Sequence, residues 1–245
     1  MSNLVRNIEY IRGQSPLKYQ TYDIIIPAAG CSSRMKGAGC KPLLKLGNKR
    51  LIDYQLESIN KLFNKKNIVV ISGFESEKVI NYLDQKVINI ENDRFELTNV
   101  VKSISIGLKA CLSNSVIIIY GDLFFTKQAI NHAYRNQSFI VLSKTMKDNE
   151  VGCTINNGIL ENMFYELPKK WGQIVYFTGK ELLLLKKIVH KKEYEKSYGY
   201  EIINKVIDMG GIFKVIEPDA YIQDIDTAKD LIEVEKYINE NYSKL

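Results

Sequence analysis

The chain has 245 residues, 45% apolar and 25% charged, a balance that lets a globular protein bury its core without disulfide staples. That excludes a disordered or collagen-like chain. Lys plus Arg number 34 against 28 Asp plus Glu, and the net +6 is scattered, which suits anionic small molecules and marks no nucleic-acid face. Four cysteines, Cys31, Cys40, Cys111 and Cys153, show no CxxC spacing and no neighbouring His. They read as reduced thiols rather than zinc ligands. No run approaches the roughly 18 apolar residues of a membrane span, and the first twenty residues lack the apolar stretch of a secretion signal. The expected location is the cytoplasm, with neither membrane nor nucleic acid as partner.

Residues 1–21 read as an N-terminal extension, since Gly13 and Pro16 interrupt any continuous element. Residues 22–245 read as one domain. Tyr22–Pro27, Asn67–Ile71, Val116–Tyr120 and Phe139–Leu142 are short apolar, largely β-branched runs, the pattern of strands buried on both faces of a parallel sheet. Between them, Leu51, Ile52, Tyr54, Leu56, Ile59, Leu62 and Phe63 recur at helical spacing. So do Val100, Val101, Ile104, Ile106, Leu108 and Cys111. This alternation predicts an α/β fold, an open and mostly parallel sheet flanked by helices. From Val151 the texture becomes hairpin-like, with Asn157-Gly158 as the turn and Ile159–Leu167 returning. Helices over Gly179–Lys192 and Tyr198–Met209, a strand over Ile212–Ile216 and a helix over Thr227–Ile238 complete the chain. The second half reads as a smaller, irregular region able to supply an acceptor pocket.

In such a sheet, ligands bind beyond the carboxyl ends of the strands. The segment there begins Ala28-Ala29-Gly30-Cys31-Ser32-Ser33-Arg34 and continues to Lys41-Pro42-Leu43-Leu44. Small residues let backbone N–H groups approach a phosphate, Arg34 can fork two phosphate oxygens, and Lys41 adds a compact charge. A glycine-containing loop with surface bases is the plain alternative. No Walker loop occurs, and the dinucleotide fingerprint would need glycine at Ser32 and Met35.

The string from Ala28 to Met35, followed seven residues past the arginine by Lys41-Pro42-Leu43-Leu44, resembles the signature of the nucleotidyltransferases. These enzymes join a nucleoside triphosphate to a phosphorylated acceptor and release pyrophosphate. The resemblance runs from about Tyr22 to the C-terminus and implies the family's Rossmann-like, GT-A-like nucleotidyltransferase fold. It also implies that Ala28, Ala29, Gly30, Cys31, Ser32 and Ser33 cradle the triphosphate. In the same reading Arg34 and Lys41 are catalytic, steadying the leaving pyrophosphate and the α-phosphate respectively.

Asp122 directly follows a buried strand, and Asp224-Ile225-Asp226 in extended backbone places two carboxylates on one face. Hard oxygen ligands of this kind suit Mg²⁺, and the resemblance implies that Asp122, Asp224 and Asp226 hold it, with Asp122 also at the nucleotide. A turn residue at Asp122 and a helix N-cap at Asp226 are the structural alternatives. The stretch from Asn92 to Ser103 resembles the base-binding segment of the phosphocholine-type cytidylyltransferases. By that resemblance Thr98, Asn99 and Ser103 bind cytosine and the triphosphate is CTP; Thr98 or Asn99 equally suits a helix cap.

Aromatic residues gather in the second half, among them Tyr165, Trp171, Tyr176, Phe177, Tyr198 and Tyr200, interleaved with Glu193, Glu195 and Glu201. A cationic amine fits over such rings beside a carboxylate, and Tyr176, Tyr198 and Glu201 are the acceptor candidates; core or rim packing is the alternative. Lys169 and Lys170 read as a solvated pair or as partners of an acceptor anion. His132 and His190 read as ordinary helix residues. The whole chain is similar to the phosphoglutamine cytidylyltransferases of capsule phosphoramidate synthesis. The expected activity is therefore Mg²⁺-dependent transfer of CMP from CTP to a phosphoglutamine- or phosphocholine-like acceptor. A sugar-1-phosphate transferase using UTP or dTTP, and a non-catalytic nucleotide-binding protein, are the rivals.

Overall fold

The computed structural model describes residues 21–30, 39–132, 136–145 and 149–241, apart from the side chain of Gln85. The chain opens with β1 (Tyr22–Pro27), a short ribbon of β2 (Lys45–Leu46) and β3 (Lys49–Arg50), and helix α1 (Leu51–Leu62). Next come β4 (Lys66–Ser72), α2 (Ser76–Leu83), β5 (Ile88–Glu91), α3 (Val100–Lys109), β6 (Ser115–Ile119) and β7 (Leu123–Phe125). Then follow β8 (Phe139–Leu142), the hairpin β9 (Val151–Asn156) and β10 (Ile159–Tyr165), and β11 (Lys169–Thr178). Helices α4 (Gly179–Ile188) and α5 (Gly199–Asp208), strands β12 (Lys214–Ile216) and β13 (Ile222–Asp224), and helix α6 (Ala228–Asn241) end it.

A nine-stranded sheet runs in the order β5-β4-β1-β6-β11-β8-β12-β10-β9. The block β5, β4, β1 and β6 is parallel, β8 and β12 are parallel to each other, and β11 lies antiparallel between β6 and β8. The sheet is thus mostly parallel, and its antiparallel β9–β10 hairpin turns back so that β9 also pairs with the start of β11, Cys153 with Lys169 and Gly152 with Lys170. Its β-branched runs explain the layering, because successive side chains of a strand point to opposite faces. Ile24 and Ile26 of β1 enter the core cluster that also holds Ile52 and Ile59 of α1. Ile25 joins the opposite cluster with Val101 and Ile104 of α3. Among the described residues no helix is long and apolar enough to cross a membrane.

Three features depart from the sequence expectation. Strand β11, which the apolar pattern did not reveal, occupies the middle of the sheet; Gly172 and Gln173 break its run, and a bulge separates Trp171 from Val175. Helix α2 and strand β5 fill the stretch before Asn92. Finally, β7 and β13 form a separate antiparallel ribbon, pairing Leu123 with Asp224 and Phe125 with Ile222. That ribbon joins segments about a hundred positions apart in the chain, and it places the site.

Candidate functional site

The ends of three parallel strands meet where β1 stops. Ala28 N donates to Ile71 O at 2.8 Å, and Gly121 N donates to Pro27 O at 3.1 Å. Glycine permits this approach: a Cβ on Gly121 would stand 2.7 Å from that of Ala28. A cavity of about 180 Å³ opens here, lined by Pro27 to Gly30, Lys41, Pro42, Val100, Ser103 and Tyr120 to Asp122. Of the expected nucleotide residues, Ala28, Ala29, Gly30, Ser103 and Asp122 share this cavity with Lys41. Cys31, Ser32, Ser33 and Arg34 lie outside the described residues. Tyr120 and Val100 are lining residues that the sequence reading missed. The Tyr120 hydroxyl is hydrogen-bonded to the Gly199 backbone, and its ring meets Trp171 edge-on at 5.5 Å.

Lys41 opens a single 3-10 turn, Lys41–Leu43, with Pro42 fixing its start. Arg50 Nη1 clamps the turn by donating to Leu43 O at 2.6 Å. The Lys41 ammonium donates to Asp122 Oδ2 at 3.0 Å and also to Asp226 Oδ1. Burial disfavours its charge, yet Asp122 and Asp226 outweigh that and push its pKa above the usual lysine range. Asp122 is raised from its ordinary value, by burial first; Lys41 opposes, while the nearby Asp224 and Asp226 charges add to the rise. Its Oδ1 is buried and has no hydrogen-bond partner among the described residues.

The β7–β13 ribbon explains the convergence. It sets Asp224 opposite Leu123, and Ile225 N donates to Asp122 O at 3.0 Å. Two lysines hold the three aspartates. Lys170 Nζ holds Asp224 Oδ1 at 3.0 Å and Gln173 Nε2 reaches its Oδ2 at 3.4 Å, while Lys41 bridges the other two acids. Among the described residues no group of three or more His, Cys, Asp or Glu is arranged to hold a metal ion. Like charges repel, and an ammonium between Asp122 and Asp226 neutralises them at close range. The donor chemistry still fits a hard divalent cation, because all the acids offer oxygen and the buried Asp122 Oδ1 lacks a partner among the described residues.

Asp226 is not the helix cap. Thr227 Oγ1 accepts from Asp230 N at 3.3 Å, and Asp230 Oδ2 accepts from Thr227 N at 2.7 Å, a reciprocal capping box. Asp226 thereby keeps its carboxylate for Lys41. Thr227→Ala should cost about 1 kcal/mol, a fall of roughly 2–4 °C in melting temperature, with turnover nearly unchanged. A calorimetric scan beside a pyrophosphate assay checks this; lost turnover at an unchanged melting temperature would contradict it.

The base-loop expectation divides. Asn99 caps α3, its Oδ1 accepting from Val100 N at 2.8 Å, and the Thr98 hydroxyl donates to Arg94 O at 2.8 Å. Neither lines the cavity: Asn99 takes the helix-cap role, whereas Thr98 caps nothing and instead ties the turn before α3 back to Arg94. Ser103, one turn further along α3, does line it, and Asn92 Nδ2 reaches both Ser103 and Thr98 at 3.3 Å.

The acceptor candidates also divide. Tyr176 is wholly buried, packs on Phe139, and donates to Ser115 Oγ at 3.0 Å at the far end of β6 from the cavity. Its place in β11 makes it a core residue, correcting the expectation. Glu201 Oε2 accepts from Tyr198 N at 2.6 Å and closes the start of α5. Tyr198 is half exposed and stacks on Tyr200 at 6.0 Å, and Tyr165 and Phe164 meet Tyr200 edge-on at 5.6 and 6.2 Å. This open aromatic patch borders α5, whose Gly199 touches Tyr120. Lys169 is exposed and pairs with Glu217, whereas Lys170 is buried within the site, so the solvated-pair reading fails for it. His190 meets Ser105 Oγ at 2.6 Å. Burial, then Lys109 and Lys102, lower its pKa, which makes it a poor base for that hydroxyl.

Residues 24–153, more than half of the chain, match the family model of the MobA-like NTP transferase domain. A stretch of 69 residues is 36% identical to the bifunctional protein GlmU of Oenococcus oeni, and spans 28% of this chain but only 16% of that relative. The fold is similar to that of the CTP:phosphocholine cytidylyltransferase LicC from Streptococcus pneumoniae, with TM-score 0.72 and 20% identity over 89% of this chain and 99% of that one. It is likewise similar to the inositol-1-phosphate CTP transferase from T. maritima, with TM-score 0.72 and 22% identity over 89% and 96% of the two chains. HddC from Yersinia pseudotuberculosis gives 0.69 and 17% over 89% and 99%. At these identities the solved structures speak for the fold alone.

Proposed function

The chain belongs to the MobA-like NTP transferase domain family, and from that premise we propose that it transfers CMP from CTP to a small phosphorylated acceptor and releases pyrophosphate. The observation that carries this reading is Lys41 joined to Asp122 and Asp226 on the rim of the cavity floored by Ala28 to Gly30. A base from the front of the chain meets acids from its middle and tail.

A phosphate oxygen of the acceptor attacks the α-phosphorus of CTP in line. The new P–O bond forms as the bond to the β-phosphate oxygen breaks, and pyrophosphate leaves with that electron pair. The second ionisation of a phosphate monoester lies near pH 6, so the nucleophile is already anionic and needs no general base. What the protein supplies is position and charge. Small residues from Ala28 to Gly30 leave room for the phosphates, the Lys41 ammonium neutralises charge at the α-phosphate, and Arg34 steadies the leaving group. Asp122 and Asp226, with Asp224 beside them, would hold Mg²⁺, which when bound offsets phosphate charge and polarises the reacting phosphorus. The Ser103 hydroxyl, kept in place by Asn92, faces the pyrimidine edge. The patch of Tyr198, Tyr200, Tyr165 and Phe164 receives the cationic end of the acceptor, a phosphoglutamine- or phosphocholine-like molecule.

The test is a panel of CTP, UTP, dTTP and GTP against choline phosphate, glutamine phosphate and hexose 1-phosphates, scored as pyrophosphate. CTP with a cationic acceptor is expected to lead. A preference for UTP or dTTP with a sugar phosphate would replace this reading with the sugar-transferase one. No release with any pair would leave a nucleotide-binding protein without catalysis.

A further inference from the structure

The charge network contains a member that neither motif nor spacing announced. Lys170 lies on β11 with its side chain 4% exposed, and its ammonium donates to Glu150 Oε1 at 2.6 Å and Asp224 Oδ1 at 3.0 Å. Burying such ions costs several kcal/mol each, and apolar replacements of buried ion pairs are often as stable. Stability alone therefore gives no reason to keep a lysine here.

The surrounding backbone points the same way. β11 leaves its register between Trp171 and Val175, and within that bulge Gln173 takes φ +54°, a left-handed conformation costly for a non-glycine residue. Bulges re-aim side chains, and this one delivers the Gln173 amide to Asp224 Oδ2. Asp224 is thus gripped at both oxygens from β11. Glu150, on the other side of Lys170, stands at the root of the β9–β10 hairpin, where Glu166 N donates to Glu150 O at 2.9 Å. Tyr165, one residue earlier, belongs to the aromatic patch.

We propose that Lys170 is a positioning residue for the transfer reaction. Anchored by Glu150, its ammonium fixes the Asp224 carboxylate beside Asp122, so that the acids present one oriented site to a divalent cation. The inference rests on the proposed metal-dependent cytidylyl transfer. It extends that reading by tying the geometry of the cation site to the hairpin on the acceptor side.

The experiment compares wild type, Lys170→Met, Lys170→Arg and the double variant Lys170→Met/Glu150→Gln. Mn²⁺ binding to the protein without nucleotide is followed by electron paramagnetic resonance, beside melting temperature, kcat and KM for CTP. Disturbing a group that orients a metal ligand typically costs about 10–100-fold in metal affinity or activity. Lys170→Met is expected to weaken Mn²⁺ binding and lower kcat by that amount, with KM for CTP nearly unchanged, and Lys170→Arg to recover most of both. Glu150→Gln relieves the buried charge left by Lys170→Met, so the double variant decides the matter if the single one unfolds. Wild-type Mn²⁺ affinity and kcat in either Met variant, with only the melting temperature lowered, would overturn the proposal while leaving the proposed function intact. A folded wild type that releases no pyrophosphate from CTP would overturn both.

Discussion

Asp122→Asn is expected to lower pyrophosphate release from CTP by roughly 10²–10³-fold while leaving the melting temperature level or slightly higher. The two effects have one cause. Asp122 sits at the end of a buried strand, and burial together with the Asp224 and Asp226 charges raises its pKa, so the folded protein carries an ionised group it would hold more easily as neutral. The amide keeps the shape, removes the charge and relieves that repulsion, at the expense of one contact to Lys41. Turnover suffers because a neutral oxygen holds a divalent cation far less firmly than a carboxylate does. Release at the wild-type rate would remove Asp122 from the reaction and, with it, the assignment of the whole acid cluster.

Lys41→Met should pull rate and stability down together, in contrast to Asp122→Asn. Its ammonium neutralises Asp122 and Asp226 at once, and losing such charged hydrogen bonds in a partly buried site costs roughly 2–3 kcal/mol. The value of kcat/KM for CTP should fall by roughly 10²–10³-fold, since a charge preorganised at the α-phosphate is lost. The pH dependence follows from the raised pKa of Lys41. A lysine whose pKa is higher when folded contributes its full stability below the unfolded value, about 10.4, and loses it only as pH climbs through the folded one. Between pH 6 and 9 the rate profile should therefore show no limb from Lys41. Denaturant titrations and steady-state kinetics on the variant check both parts; a variant with normal turnover and reduced stability would make Lys41 a structural link only.

The parallel half of the sheet was legible because its information is local. Tyr22–Pro27 and Phe139–Leu142 are strands with the expected bounds, since an unbroken β-branched run flanked by breakers has few other places to go. Lys41 and Asp122 were legible for a related reason. Each follows directly on a recognisable local pattern, and chain connectivity alone carries both to the same edge of the sheet.

Other features depend on contacts that no local pattern encodes. The run Lys169–Thr178 contains Gly172 and Gln173, so it showed no clean alternation. Pairing with β6 on one side and β8 on the other makes it a strand. That pairing sends Tyr176 into the core and Lys170 into the acid cluster, reversing the reading of both. Thr227, rather than Asp226, caps the last helix, and only the approach of β13 to β7 shows that Asp226 meets Lys41. A strand written in local hydrophobicity can be read in advance, whereas the partner of a buried charge depends on which distant segment folds against it.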